Sequence, residues 1–251
     1  AVTESEAKLS GSENTQIVND VVVKIATANG SGSQSANLIL MKSIFKMGIP
    51  VSSKNLFPSN IAGLPTWFTI RANENGWLAQ KTATDIAILM NSQTVADDLA
   101  ELSPATVVVV SESLKSYVKR DDLKVYLVPF DTLVKEASPD TRLRKKVINV
   151  IYVGVLAWLL DMDLKIITDG IKQQFKGKSK AADINIDAAT VGYQWADQTL
   201  ESKLNHRLEV RDLTKNKLII EGNESTALGL MFGGVTVAAW YPITPSSSVC
   251  E

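Results

Sequence analysis

Cysteine and histidine are almost absent from this chain of 251 residues, which holds only Cys250 and His206. One cysteine excludes an internal disulfide and an iron–sulphur cluster ligated within the chain, because both need several thiols. One histidine excludes a histidine-rich metal site and leaves a single candidate base for a Ser-His-Asp triad. Strong charge of either sign is also missing. The formal net charge is −1, so no global field recruits nucleic acid. Long apolar runs are lacking too. The nearest, Val147 to Leu160, is short for a bilayer and contains Asn149 and Gly154. It reads as a buried helix, with Arg142, Arg144, Lys145 and Lys146 as its solvated first turn. The stretch Ala1 to Asn19 is polar and acidic, without the apolar centre of a secretory signal. A reducing cytoplasm is the compartment that suits such a chain.

What is present favours a packed body. Apolar residues make up 45% of the chain, enough for a core and too many for disorder. The β-branched run Val21 to Ala26 predicts a first strand that ends in a glycine-serine loop. A helix follows from Ser33 to Met47, with Ala36, Leu40, Ile44 and Met47 on one face. Gly48 and Pro50 stop it. Further strands are expected at Ile49 to Ser53, Trp67 to Ala72, Asp85 to Met90, Thr106 to Val110 and Lys124 to Val128. Thr94 to Leu102 reads as an intervening helix. Strand and helix in alternation point to an α/β fold, a mostly parallel sheet with helices on both faces. From Arg142 to His206 the pattern turns helical. Residues 1–19 read as a polar leader, 20–207 as the main domain and 208–216 as a charged linker. Residues 217–251 read as the beginning of a second domain: a strand at Lys217 to Glu221, a helix at Glu224 to Phe232 and a strand at Val235 to Trp240.

Three stretches carry possible chemistry. In Asn29-Gly30-Ser31-Gly32-Ser33-Gln34-Ser35, Gly30 and Gly32 let backbone amides approach a phosphate. The helix that starts at Ser33 adds its positive end. The pattern falls short of the dinucleotide fingerprint and lacks the acid that would hold a ribose some twenty residues later. Lys54 and Asn55 occupy that area, and a lysine favours a phosphate. A nicotinamide cofactor, another phosphate ligand and a plain tight turn all remain open. The second stretch, Lys54 to Arg71, surrounds Phe57 and Trp67 with polar residues. It suits either a functional loop or a structural one whose Lys and Arg are solvated. The third, Tyr241-Pro242-Ile243-Thr244-Pro245-Ser246-Ser247, holds the Thr244 hydroxyl between two stiffening prolines. A simple strand-to-helix turn would use the same residues. The acidic pairs Asp121-Asp122, Asp161 with Asp163, and Asp183 with Asp187 lack the ligand number of a cation site and read as surface charge. His206, within a charged run, reads as exposed.

Two pairs of motifs resemble a known family. Gly222-Asn223-Glu224-Ser225-Thr226-Ala227-Leu228-Gly229, followed by Tyr241 to Ser247, resembles the start of the thiamine-pyrophosphate pyrimidine domain of 2-oxoacid:ferredoxin oxidoreductases. Asn29 to Ser35 and Lys54 to Asn60 resemble the gamma domain of the same enzymes, in the form fused ahead of the alpha domain. That order is the one found in 2-oxoglutarate-type alpha subunits. The resemblance implies a Rossmann-like gamma domain, then the start of the α/β pyrimidine domain. It implies oxidative decarboxylation of a 2-oxoacid to acyl-coenzyme A, with electrons passed to ferredoxin. By the same resemblance Gly30, Ser31, Gly32, Ser33, Gln34, Lys54 and Asn55 contact coenzyme A. Tyr241, Pro242 and Ile243 lie beside the thiamine aminopyrimidine, and Thr244 stands near the thiamine ring and the substrate carboxylate. A beta subunit would bring the diphosphate–magnesium motif, which Asp169-Gly170 does not extend into, and a partner would carry the iron–sulphur cluster. No nucleic acid and no membrane enter this picture, and the chain alone is expected to be inert. Two other functions stay in view: a non-redox phosphate- or nucleotide-binding α/β module, and a structural interaction subunit.

Overall fold

The computed structural model describes residues 16–57, 62–138, 140–243 and 246–250. A six-stranded sheet forms the centre, in the order β3-β4-β2-β5-β6-β7. Its strands are β2 (Asp20–Ala28), β3 (Val51–Leu56), β4 (Pro65–Asn73), β5 (Ile86–Leu89), β6 (Val107–Ser111) and β7 (Lys124–Val128). β2, β5, β6 and β7 run parallel, while β3 and β4 are antiparallel additions at one edge. The sheet is therefore mostly parallel, as the sequence predicts.

Side-chain alternation divides the core in two. Val23, Ile25, Ile86, Ile88 and Val109 face α1 (Ser33–Lys46), α3 (Phe130–Ala137), α4 (Thr141–Leu159), α5 (Leu164–Gln174) and α6 (Ser179–Thr199). Ala26, Ala87, Leu89, Val108 and Val110 face the other way, toward α2 (Val95–Glu101) and a 3-10 turn at Glu112–Tyr117. β5 and β6 are apolar at almost every position because both faces are covered.

The apolar run at 147–160 is the central helix of the larger core, as the sequence predicts. Residues Val150 to Leu160 are all buried, and Gly154 lies against the α6 backbone at Ala189 and Tyr193. Gly192 of α6 returns the contact against Ile151. Side chains at these two positions would hold the helices apart. Among the described residues no helix is long and apolar enough to cross a membrane.

Two short strands close the body. β1 (Ile17–Val18) pairs in parallel with β8 (His206–Arg207), Ile17 opposite His206. Asn19, buried and at φ 52°, accepts from the Glu209 amide at 2.8 Å and donates to Glu74 at 3.3 Å. The stretch 208–216, expected as a linker, is laid along the end of α1. Arg211 N donates to Met47 O at 2.7 Å, Leu213 N to Gly48 O at 2.9 Å, and Thr214 Oγ1 to Phe45 O at 2.8 Å.

Three expectations are corrected. No strand forms at Lys217 to Glu221 or at Val235 to Trp240. Their backbones have no neighbouring ladder among the described residues, and a β-branched run without one remains irregular. Only α7 (Gly222–Phe232) forms, held by a local capping box between Glu221 and Glu224. Arg71, solvated in one of the two readings left open for its stretch, is fully buried on β4 and pairs with Asp20. His206 is not exposed: its side chain is 18% accessible, and Nε2 lies 3.6 Å from Asp85 Oδ1.

Candidate functional site

The strand order reverses between β2 and β5. α1 carries the chain from β2 to the far edge, and the β3–β4 hairpin returns it to β2 before β5 begins the other half. Ligands of open α/β sheets bind beyond the carboxyl ends of the strands at such a reversal. Here that place holds the glycine-serine loop after β2 and the loop 90–94 after β5. Asn91 Nδ2 stitches the two by donating to Thr27 O at 3.1 Å.

Gly30 and Gly32 sit at φ 78° and 85°, conformations that side-chain-bearing residues avoid. Gly32 is the N-terminal flank of α1, and no side chain caps the helix amides. Gly32 also has a packing reason to be glycine: a Cβ there would lie 2.6 Å from the Lys146 carbonyl oxygen. Thr27 Oγ1 donates to Ser33 Oγ at 2.8 Å, and Asn149 Nδ2 donates to Ser31 O at 2.8 Å. Sequence reasoning missed Asn149 as a loop holder. The available signal was a lone amide within an apolar run.

Gln34 and Asn55, from different elements, meet at the mouth of this loop, Asn55 Nδ2 donating to Gln34 Oε1 at 3.2 Å. Thr66 Oγ1 extends the chain by donating to Asn55 Oδ1 at 3.2 Å. Lys54 does not join them. Strand alternation puts it on the opposite face of the sheet from Asn55, in line with Thr69 and Lys24. There it lines a trough of about 460 Å³ with Leu56, Trp67, Thr94 and the α2 residue Asp98. The trough exists because α2 covers β5 and leaves the β2–β4–β3 end of that face uncovered. Lys24 is drawn to the wall, 3.3 Å from Asp98 and 3.5 Å from Glu101. Trp67 Nε1 donates to Asp98 Oδ1 at 2.9 Å.

The third candidate stretch is separate and open. Tyr241 is 79% exposed and Ile243 59%. Pro242 is exposed beside them, and Thr244 lies outside the described residues. Ile243 O accepts from Ser246 N and Oγ, at 2.8 and 2.7 Å. Asn223 Nδ2 donates to Ser248 Oγ at 2.8 Å, one residue past the second motif. Among the described residues no group of His, Cys, Asp and Glu side chains is arranged to hold a metal.

The sequence pattern of the pyruvate ferredoxin/flavodoxin oxidoreductase family matches residues 22–195. The chain belongs to this family. It is similar to the alpha subunit of 2-oxoacid:ferredoxin oxidoreductase 2 of Aeropyrum pernix, 20% identical over 91% of this chain and 42% of that protein. The chain thus spans about two fifths of that relative's length. Its fold resembles 2-oxoglutarate:ferredoxin oxidoreductase of Magnetococcus marinus, solved with 2-oxoglutarate, coenzyme A and succinyl-CoA bound. That likeness has a TM-score of 0.77 at 20% identity and covers 92% of this chain and 40% of the other. A pyruvate oxidoreductase subunit of Thermotoga maritima matches with a TM-score of 0.58 at 15% identity, over 70% of this chain and 96% of its own.

Proposed function

We propose that this chain is part of a 2-oxoacid:ferredoxin oxidoreductase, one that converts a 2-oxoacid, 2-oxoglutarate in the first instance, to its acyl-coenzyme A with loss of carbon dioxide. The electrons go to ferredoxin through iron–sulphur clusters held by a partner. The observation that carries the reading is the family match over residues 22–195, joined to an uncapped helix start and two positive-φ glycines at the sheet's reversal point. Such a place favours an anionic phosphate group.

On this reading residues 20–207 form the gamma domain, 208–216 the connection and 217–251 the beginning of the pyrimidine domain. Gly30, Ser31, Gly32, Ser33 and Gln34 present backbone and short polar side chains to coenzyme A. Asn55 steadies Gln34, and Lys54 supplies a positive charge on the far side of β3. Tyr241, Pro242 and Ile243 border the thiamine aminopyrimidine, and Thr244 orients the substrate carboxylate. Thiamine pyrophosphate, with Mg2+ shared with a beta subunit, supplies carbanion stabilisation when bound. The chain's own residues position the acceptor thiol and the acid. A cytoplasmic location goes with this function.

Two assays test it. Residues 1–251 mixed with thiamine pyrophosphate, magnesium, coenzyme A, 2-oxoglutarate and a viologen dye should give no sustained dye reduction. In the assembled complex Thr244→Val keeps shape and removes one hydrogen bond. Turnover efficiency should fall about ten- to hundredfold. Dye reduction by the isolated chain, or full activity of that variant, overturns the assignment it tests.

A further inference from the structure

Asn149 is a polar residue inside the apolar run of α4, only 2% exposed, and its side chain turns out of the helix to the glycine-serine loop. Nδ2 donates to the Ser31 carbonyl oxygen at 2.8 Å and lies 3.2 Å from Ser31 Oγ. The Ser31 carbonyl and the Gly32 N–H belong to one planar trans peptide, so they point in opposite directions. A carbonyl held toward α4 therefore turns the Gly32 N–H away from α4. That N–H makes no hydrogen bond among the described residues. It stands next to the first amides of α1, which no side chain caps.

The peptides on either side are fixed by backbone. Asn29 O accepts from Gly63 N at 2.8 Å, Ser31 N donates to Ala28 O at 3.2 Å, and Gly32 O accepts from Ala36 N at 3.5 Å. The Ser31–Gly32 peptide is held instead by the Asn149 side chain. It is also the peptide with the most freedom to turn over, because a flip rotates ψ of Ser31 with φ of Gly32, and glycine takes φ of either sign at similar cost. No stiffer residue fits at Gly32, where a Cβ would meet the Lys146 carbonyl oxygen. In the flipped loop an oxygen faces outward in place of the N–H, and an oxygen repels an anion.

We propose that Asn149 is a positioning residue for the anion-binding loop: by holding the Ser31 carbonyl it keeps the Ser31–Gly32 peptide turned so that an N–H faces a phosphate. The proposal rests on the coenzyme A reading above and adds the group that decides between a binding and a repelling loop. Asn149 is buried and acts through the peptide, without touching the ligand.

Asn149→Leu keeps the volume and removes the donor. Tyr152→Phe is its control, since it also deletes a buried hydrogen bond of α4, the one to Asn37 Oδ1, without reaching the loop. In calorimetry on the full chain, Asn149→Leu should bind coenzyme A about tenfold more weakly, and Tyr152→Phe should match the wild type. Without ligand, the Gly32 amide resonance should move in Asn149→Leu and stay in place in Tyr152→Phe. If Asn149→Leu does not fold, Asn149→Ser, too short to reach Ser31, takes its place with the same expectations. Equal weakening by both variants would make Asn149 a structural residue only and overturn the proposal. Unchanged affinity in the Asn149 variant, or an unmoved Gly32 resonance, would also overturn it and leave the coenzyme A reading standing. If the wild-type chain binds no coenzyme A, that reading falls and the proposal with it.

Discussion

Val21 to Ala26 and Val235 to Trp240 are similar runs, apolar and rich in β-branched residues, yet only the first is a strand. Val23 and Ile25 are fully buried, with β4 on one side and β5 on the other. Val237 is 82% exposed, and its segment has no ladder. The helices divide in the same way. α4 buries most of its residues, whereas α7 buries none and carries Phe232 at 91% exposure. A strand is a property of its neighbours, while a helix with a good cap can form by itself.

Substitutions at glycine sharpen this comparison most. Gly154→Val forces a side chain into the α6 backbone at Ala189. Chemical denaturation should show a loss of more than about 3 kcal/mol, or no folded protein. A mild effect would mean that α4 and α6 can separate, and that the body is less tightly packed than described. Next comes Tyr152→Phe. Tyr152 is buried on α4, its hydroxyl donates to Asn37 Oδ1 at 2.6 Å, and burial pushes its pKa far up. Removing the hydroxyl leaves Asn37 short of a donor and should cost about 1–3 kcal/mol.

A smaller effect concerns acid. Burial raises the pKa of Asp20, but hydrogen bonds from Arg71 and Lys81 outweigh it and hold the carboxyl below its usual range. A carboxyl depressed in the folded state contributes stability above its unfolded pKa of about 4, lost as pH falls through the folded value. The acid limb of Tm against pH should therefore be steeper in the wild type than in Arg71→Met, where Asp20 loses its main partner. Equal limbs would remove Asp20 from the account. The smallest effect is Gly229→Ala in α7, where a Cβ meets nothing within 4 Å. Amide exchange in α7 should slow by the equivalent of about 0.5–1 kcal/mol, with the main unfolding midpoint unmoved. A shifted midpoint would tie α7 to the body.

Most of the body was legible because period and punctuation agreed. β5 and β6 are continuous apolar runs, α1 carries an apolar face that stops at Gly48, and the glycine-serine loop follows β2 directly. What the sequence did not disclose depends on partners distant along the chain. Nothing near Arg71 announces that Asp20, fifty-one residues earlier, will take it into the core. Nothing near Lys54 tells that alternation will part it from Gln34 while Asn55 joins that residue. The packing role of Gly32 was hidden for the same reason, since Lys146 is remote in sequence. The trough was invisible because it is defined by where α2 stops covering the sheet. Thr244 lies outside the described residues, so the thiamine assignment gains only the Asn223–Ser248 contact beside it.

Ile17 opposite His206 is a small pairing, but it gives the domain both of its leads on one side. A chain that enters beside β1 leaves beside β8 after completing the whole sheet. Such a module can be joined end to end with another, or cut free as its own polypeptide, with no strand rethreaded. The Thermotoga maritima subunit shares this fold over almost all of its own length. The β1–β8 pair thus sets the way in and the way out of the six-stranded body side by side.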